Sequence, residues 1–227
     1  MATQKLQIKQ TLLDSVQYGI KNIGSLILMV ILYIATVWIP YLNVGTTIGL
    51  YKAIIGIGRG EIINPTAIFD GENFENLGDF FLLQGFITVG ITAAAAFMFF
   101  PAIVIGIAWG FAIYFFIDKG LSPQKCLKVS YKVTYGEKWT IFWIICILML
   151  AISILSSIFA MIPKVGFIFV IAIAIIGVAV AVAVEGVMYA HFSAKADEMF
   201  GDKAPGCGCH APAPEAPAAP ESPAPEA

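Results

Sequence analysis

An all-α, membrane-embedded bundle of about six spans is the fold this sequence predicts, on three observations. Hydrophobic residues make up 59% of the chain and charged ones only 12%, about half the charged share of a soluble domain. Apolar runs near or above the length of about 18 residues that marks a membrane span recur along it. One of them, residues 80–117, is almost unbroken; as a single helix it would measure about 57 Å against a hydrocarbon core of about 30 Å. The bilayer must stand in for a buried core, and the formal net charge of −2 matters less than where the charges lie.

The chain starts polar and amphipathic, and no small-residue cleavage site follows the first apolar run, so no cleavable signal peptide is expected. Residues 1–22 predict an amphipathic helix lying on the membrane surface: Leu6, Leu13, Val16 and Ile20 recur at helical spacing, Leu12 flanks them and Lys9 interrupts them. The first span is expected over residues 24–41, with Trp38 and Tyr41 as interface aromatics. The second, residues 44–57, is short, glycine-rich and interrupted by Lys52. Glu61, Asp70, Glu72, Glu75 and Asp79 then make an acidic soluble loop.

The long apolar stretch divides at Pro101 into spans over 80–100 and 102–117. After an amphipathic segment, two more spans are expected over 140–162 and 166–189, joined by the tight IPKVG turn. Residues 23–200 thus form the six-span domain. Residues 201–227 are dominated by Ala, Pro and Glu and cannot bury a core, which predicts a disordered cytoplasmic tail.

Charge sets the orientation. With six spans, eleven of the 13 basic residues face one side, Lys164 alone faces the other and Lys52 is left within a span. By the positive-inside rule both termini are cytoplasmic, in a cell (inner or plasma) membrane, with Asn43 and Lys164 outside and the segments around Asp70 and Lys128 inside. If the second segment alone were re-entrant, the five-lysine loop would face outward.

Within that loop Ser122 and Pro123 begin a helix, and Gly136 ends it after about three turns. Lys125, Lys128 and Lys132 share one face, with Cys126, Leu127 and Val133 further round. Two readings compete: contact with anionic lipid, at about 1 kcal/mol per lysine near the surface, and a topological role alone.

Glu185 is the only carboxylate well inside an expected span, so it needs a partner, and Lys52 lies at a similar expected depth. Such a pair either locks two helices together or couples ions to transport. Cys207, Cys209 and His210 form C-x-C-H, soft ligands for zinc or copper(I) that complete no tetrahedral site by themselves, so an unoccupied tail is the other reading. His191 reads as an interfacial residue. Cys126 and Cys146 in the body suggest no disulfide framework. Gly45 to Gly49 and Gly106 to Gly110 have the spacing that lets helix backbones approach, within the chain or between copies. No nucleophile–base pair, phosphate loop or dinucleotide fingerprint stands out, so neither catalysis nor a cofactor is expected.

Pro101, Asp118, Cys126-Leu127, Ser130, Gly136 and Trp139, preceded by Lys21-Asn22 and Arg59-Gly60, resemble a widespread prokaryotic family: the multi-span membrane domain found in some glycerophosphoryl diester phosphodiesterases and related uncharacterised proteins. The likeness covers nearly the whole chain except the tail, with Cys126 in place of the usual alanine. Its motifs are architectural. The resemblance implies a multi-pass membrane protein, and without the soluble catalytic domain the phosphodiesterase activity does not carry over. The first functional expectation is therefore a non-catalytic scaffold or membrane-organising protein. Its partners would be membrane lipids with anionic headgroups and a second copy or another membrane protein, not nucleic acid. The competing expectation is a small transporter or channel using Lys52 and Glu185.

Overall fold

The computed structural model describes residues 5–162 and 166–201. Lys164, the tail from residue 202 onward and the C-x-C-H group Cys207, Cys209 and His210 lie outside the described residues. No strand occurs among the described residues. The helices are α1 (Ile8–Lys21), α2 (Ile23–Thr36), α3 (Pro40–Gly58), α4 (Leu77–Phe97), α5 (Phe99–Trp109), α6 (Ala112–Lys119), α7 (Pro123–Thr134), α8 (Lys138–Ala160) and α9 (Gly166–Phe200). Two 3-10 turns, Pro65–Phe69 and Gly71–Phe74, sit between α3 and α4.

Among the described residues four segments are long and apolar enough to cross a membrane: α4, α5 with α6 as Phe99–Lys119, α8 and α9. Counting α1 and α2 as one bent span would make five. The 35 residues of α9 reach about 52 Å. That is longer than a hydrocarbon layer of about 30 Å, and α1, α3 and α8 all pack along this helix.

Residues 5–76 depart from expectation in how their helices face their neighbours. α1 runs antiparallel along α9, with Gly19 against Ala179 and the opposite end, from Lys5 to Asp14, sharing a cleft with Val187 and His191. Its buried face is small and polar, Thr11, Ser15 and Gly19, while Leu13, Val16 and Ile20 are exposed. Small residues let backbones approach when no hydrophobic force separates helix from solvent; hence the apolar stripe points outward. The chain then turns by 72° into α2. Asn22 holds that corner: its amide donates to Tyr18 O and Glu61 O, both at 3.1 Å, and its Oδ1 accepts from Ile63 N at 3.1 Å. The 14 residues of α2 span only about 21 Å, and Ile27, Leu28, Ile31, Ile34 and Trp38 remain exposed along it.

α3 contains the expected second span, and the acidic loop retraces it. A Cβ on Gly56 would lie 3.1 Å from the Glu61 carboxylate; Gly49 faces Ile68 and Asn73, and Gly45 accepts the Phe74 ring. The G-x-x-x-G spacing at Gly45 and Gly49 thus serves a loop, not another helix. Phe74 also stacks on Tyr41 at 5.5 Å, so the loop ends beside the start of α3. That course does not fit a loop held at the far end of a spanning helix.

The apolar stretch divides into α4 and the broken pair α5–α6, and the division falls at Met98, whose backbone is extended, rather than at Pro101. Pro101 falls in the first turn of α5, where a missing N–H leaves no carbonyl unpaired. α4 and α5 form a hairpin in which Gly90 makes room for the Trp109 ring. α6 ends at Gly120 in the left-handed conformation (φ 57°), and Gly136 (φ 85°) turns the chain from α7 into α8.

α3 and α9 cross most closely at Gly58 and Gly186: a Cβ on Gly58 would collide with the Gly186 backbone, and one on Gly186 would lie 3.1 Å from Gly58 Cα and overlap the Ile54 carbonyl. A methyl at Gly186 forces the helices apart, a cost of about 1–3 kcal/mol. Gly186→Ala should therefore lower the melting temperature measured in detergent, whereas Gly85→Ala, with nothing within 4 Å of the new methyl, should not. Equal melting of the two variants would contradict this crossing.

Candidate functional site

The polar residues of the bundle gather around the C-terminal half of α9. At their centre is Glu137, just before α8, with a side chain only 7% exposed. Its Oε1 accepts from the Lys195 ammonium, its Oε2 accepts from Leu6 N at 3.2 Å, and His191 Nε2 lies 3.3 Å away without an aligned hydrogen bond. Lys195, itself 8% exposed, also donates to Val133 O at 2.7 Å at the end of α7. The N-terminal segment and α9 thereby meet on one carboxylate, and the Lys195 ammonium ties the end of α7 to them. Burial by itself raises this carboxyl, but His191, Lys195 and the Leu6 amide outweigh it and hold the group down at about 2.

One layer toward the apolar half, Arg59 forms a two-toothed pair with Asp118, its Nη2 lying 2.6 and 2.8 Å from the two oxygens. Tyr189 donates to the same carboxylate at 2.6 Å. Lys119 pairs with Asp197, joining the end of α6 to α9. Asp118 and Arg59 thus meet across 59 residues of sequence.

A second tyrosine–carboxylate pair lies four residues earlier on both helices: Tyr114 donates to Glu185 at 2.6 Å. The expected partner of Glu185 was Lys52, and the structure corrects this. Lys52 lies 3.6 Å from Glu72 in the returning loop. The face of α3 turned to α9 carries Ile54 and Gly58, and at about 100° per residue Lys52 stands about 200° from Ile54. The two charges leave their helices in different directions.

α7 matches its expected span and face. Lys125, Lys128 and Lys132 are exposed while Cys126, Ser130 and Val133 are buried and Leu127 is half-buried. Ser122 occupies the cap position, although its side chain makes no cap hydrogen bond; its carbonyl accepts from Cys126 N at 3.0 Å instead. The inner face is anchored by Ser130, whose hydroxyl donates to Ala108 O at 2.7 Å. That carbonyl belongs to the broken turn between α5 and α6, where the helical ladder leaves acceptors to be satisfied from elsewhere. Lys132 also lies over the Phe200 ring, 5.4 Å from its centroid. His191 is half-buried against Phe192 and Glu137. Among the described residues no group of three or more His, Cys, Asp or Glu is arranged to hold a metal.

Gly106 and Gly110 line a cavity of about 290 Å³ with Tyr51, Phe111, Tyr114 and Glu185; a Cβ on Gly106 would meet nothing within 4 Å, so this spacing does not mark a helix crossing. Sequence reasoning missed Glu137, Lys195, Tyr114 and Tyr189 as structural partners. Glu137 had one signal, a carboxylate beside the opening of a strongly apolar helix, where burial without a partner is costly.

Glu137→Gln should destabilise the protein by about 3–5 kcal/mol, because it leaves the Lys195 charge buried without its anion. The contribution of Glu137 is complete above its ordinary 4.5 and is lost as pH falls from there toward about 2. Thermal melting from pH 7 to 3 should show that decline in the wild type and a weaker one in the variant.

No family model, curated protein or solved structure matches the chain, and the likeness to the phosphodiesterase membrane domain rests on the residues quoted for it alone.

Proposed function

We propose that this is a non-catalytic, multi-pass protein of the cell membrane whose basic α7 face gathers anionic lipid at the cytoplasmic leaflet. The observation that carries this reading is the orientation of α7: Ser130, Cys126 and Val133 fix one side in the bundle, and Lys125, Lys128 and Lys132 are left exposed on the other. Three such lysines offer up to about 3 kcal/mol at an anionic surface. Trp139 and Trp143, exposed on the first turns of the adjoining α8, suit the level where aromatic side chains meet headgroups.

The topology we propose has four spans, α4, α5–α6, α8 and α9, rather than six. Removing both of the first two expected spans preserves parity, so the chain ends remain on the side assigned by charge. It also brings Lys52 to that side, placing twelve of the 13 basic residues there and only Lys164 opposite. The competing transporter reading relied on Lys52 meeting Glu185, and the separate partners of those residues leave it without support.

Two measurements test the proposal. Cysteines introduced at Asn43 and Lys128 should react with an impermeant reagent from the same side of the membrane, and at Lys164 from the other; Asn43 labelling with Lys164 would restore six spans. Replacing Lys125, Lys128 and Lys132 together with glutamine should reduce the enrichment of anionic over zwitterionic lipid that co-purifies in mild detergent by about tenfold or more, with melting unchanged, since exposed charges add little to stability. Unaltered lipid enrichment would reduce these lysines to a topological role.

A further inference from the structure

The two tyrosine–carboxylate pairs on α6 and α9 are built alike and neutralised differently. Tyr189–Asp118 and Tyr114–Glu185 each close at 2.6 Å, each joins residues 71 apart, and the two are one helical turn from each other. Their rings stack, with centroids 5.3 Å apart and planes at 26°. Asp118 has Arg59. Glu185 has no cation within 4.0 Å among the described residues, and Tyr114 is its only described hydrogen-bond partner. Glu185 is exposed at the surface of the bundle, where an apolar surrounding calls for an opposite charge, and the described residues supply none within 4.0 Å.

What Glu185 faces is the cavity of about 290 Å³, whose walls combine three aromatic rings, Tyr51, Phe111 and Tyr114, with apolar side chains including Ile141 and Met188. Tyr51 and Tyr114 meet edge to face at 5.1 Å, and Phe111 lies 6.1 Å from Tyr114. Phe111 and Tyr114 are buried and Tyr51 is half-buried, and an aromatic wall beside one carboxylate favours a large, weakly hydrated cation: the ring quadrupole attracts it and the carboxylate completes the charge. A small metal ion would lose its water to walls that offer too few oxygens. Glu185 lies 19 residues from the start of α9, about 28 Å along the helix, which sets it near the inner boundary of a hydrocarbon layer about 30 Å thick. An occupant with a cationic head and an apolar body would have both parts accommodated there.

We propose that this cavity is a binding site for a lipophilic organic ammonium ion, with Glu185 as its counter-ion, oriented by Tyr114, and with the half-buried Tyr51 ring beside the ammonium group. The site is separate from the α7 lysines and does not depend on them.

The test uses the full chain in lipid nanodiscs and radiolabelled hexyltrimethylammonium as the probe, with empty nanodiscs as the blank. Saturable binding of one probe per chain is expected, displaced by the unlabelled ion. Its uncharged isostere 2,2-dimethyloctane should not displace it. Glu185→Gln should weaken binding by about tenfold or more and Tyr51→Leu by about fivefold, as loss of a charge pair and of one aromatic face would do, while Lys128→Gln leaves it unchanged. Binding no greater than to empty nanodiscs, equal displacement by the uncharged isostere, or undiminished affinity in a folded Glu185→Gln variant would each overturn the proposal. The isostere comparison needs only the wild-type protein, so it decides the matter even if the substitutions do not fold.

Discussion

The close approach of backbones along α9 is the constraint from which the remaining architecture follows. In a hydrocarbon environment, burying leucine or isoleucine gains little, because the lipid is as apolar as the side chain, and helices associate through van der Waals fit and polar contacts. α9 supplies the fit with Ala179, Ala183 and Gly186, and α1 and α3 answer with Gly19 and Gly58. That requirement explains why α1 presents threonine, serine and glycine to the bundle and leaves its apolar stripe exposed. It also explains why α3 meets α9 through Ile54 and Gly58 while Lys52 points elsewhere.

Polar pairs then convert a close-packed stem into a specific arrangement. Each is formed between residues distant in sequence: Leu6, Val133, Glu137 and Lys195 at one level, Arg59, Asp118 and Tyr189 at the next, Tyr114 and Glu185 above them. A buried ion pair contributes modestly in itself but is costly to break. Such pairs therefore penalise alternative docking of α1, α6 and α7 on α9 more than they add to stability. Ser130 does the same for the break between α5 and α6, because the Ala108 carbonyl is satisfied only when α7 lies beside it.

The functional readings both arise from this division. α7 is held by its inner face, which frees its lysines for the surface. The cavity at Glu185 opens beside Gly106 and Gly110, whose missing side chains leave room there, and Tyr51, Phe111 and Tyr114 form part of its walls with Ile141 and Met188.

By itself the sequence determined what depends on composition and local period. The dominance of apolar residues pointed to an all-helical class with helices apolar enough to cross a membrane, and the length of residues 80–117 required a break there. The spacing of Lys125, Lys128 and Lys132 placed them on one face. Each of these is decided within a few turns of one helix. Tertiary structure alone decided which face of each helix turns to which neighbour. It sent α2 off at 72° through the three hydrogen bonds of Asn22, folded residues 61–76 back along α3, and gave Lys52 to Glu72 and Glu185 to Tyr114. The physical reason is that apolar residues on every side make a membrane helix rotationally ambiguous in sequence. Its orientation is fixed only by small-residue fit and by polar partners distant in sequence, up to 131 positions away for Leu6 and Glu137.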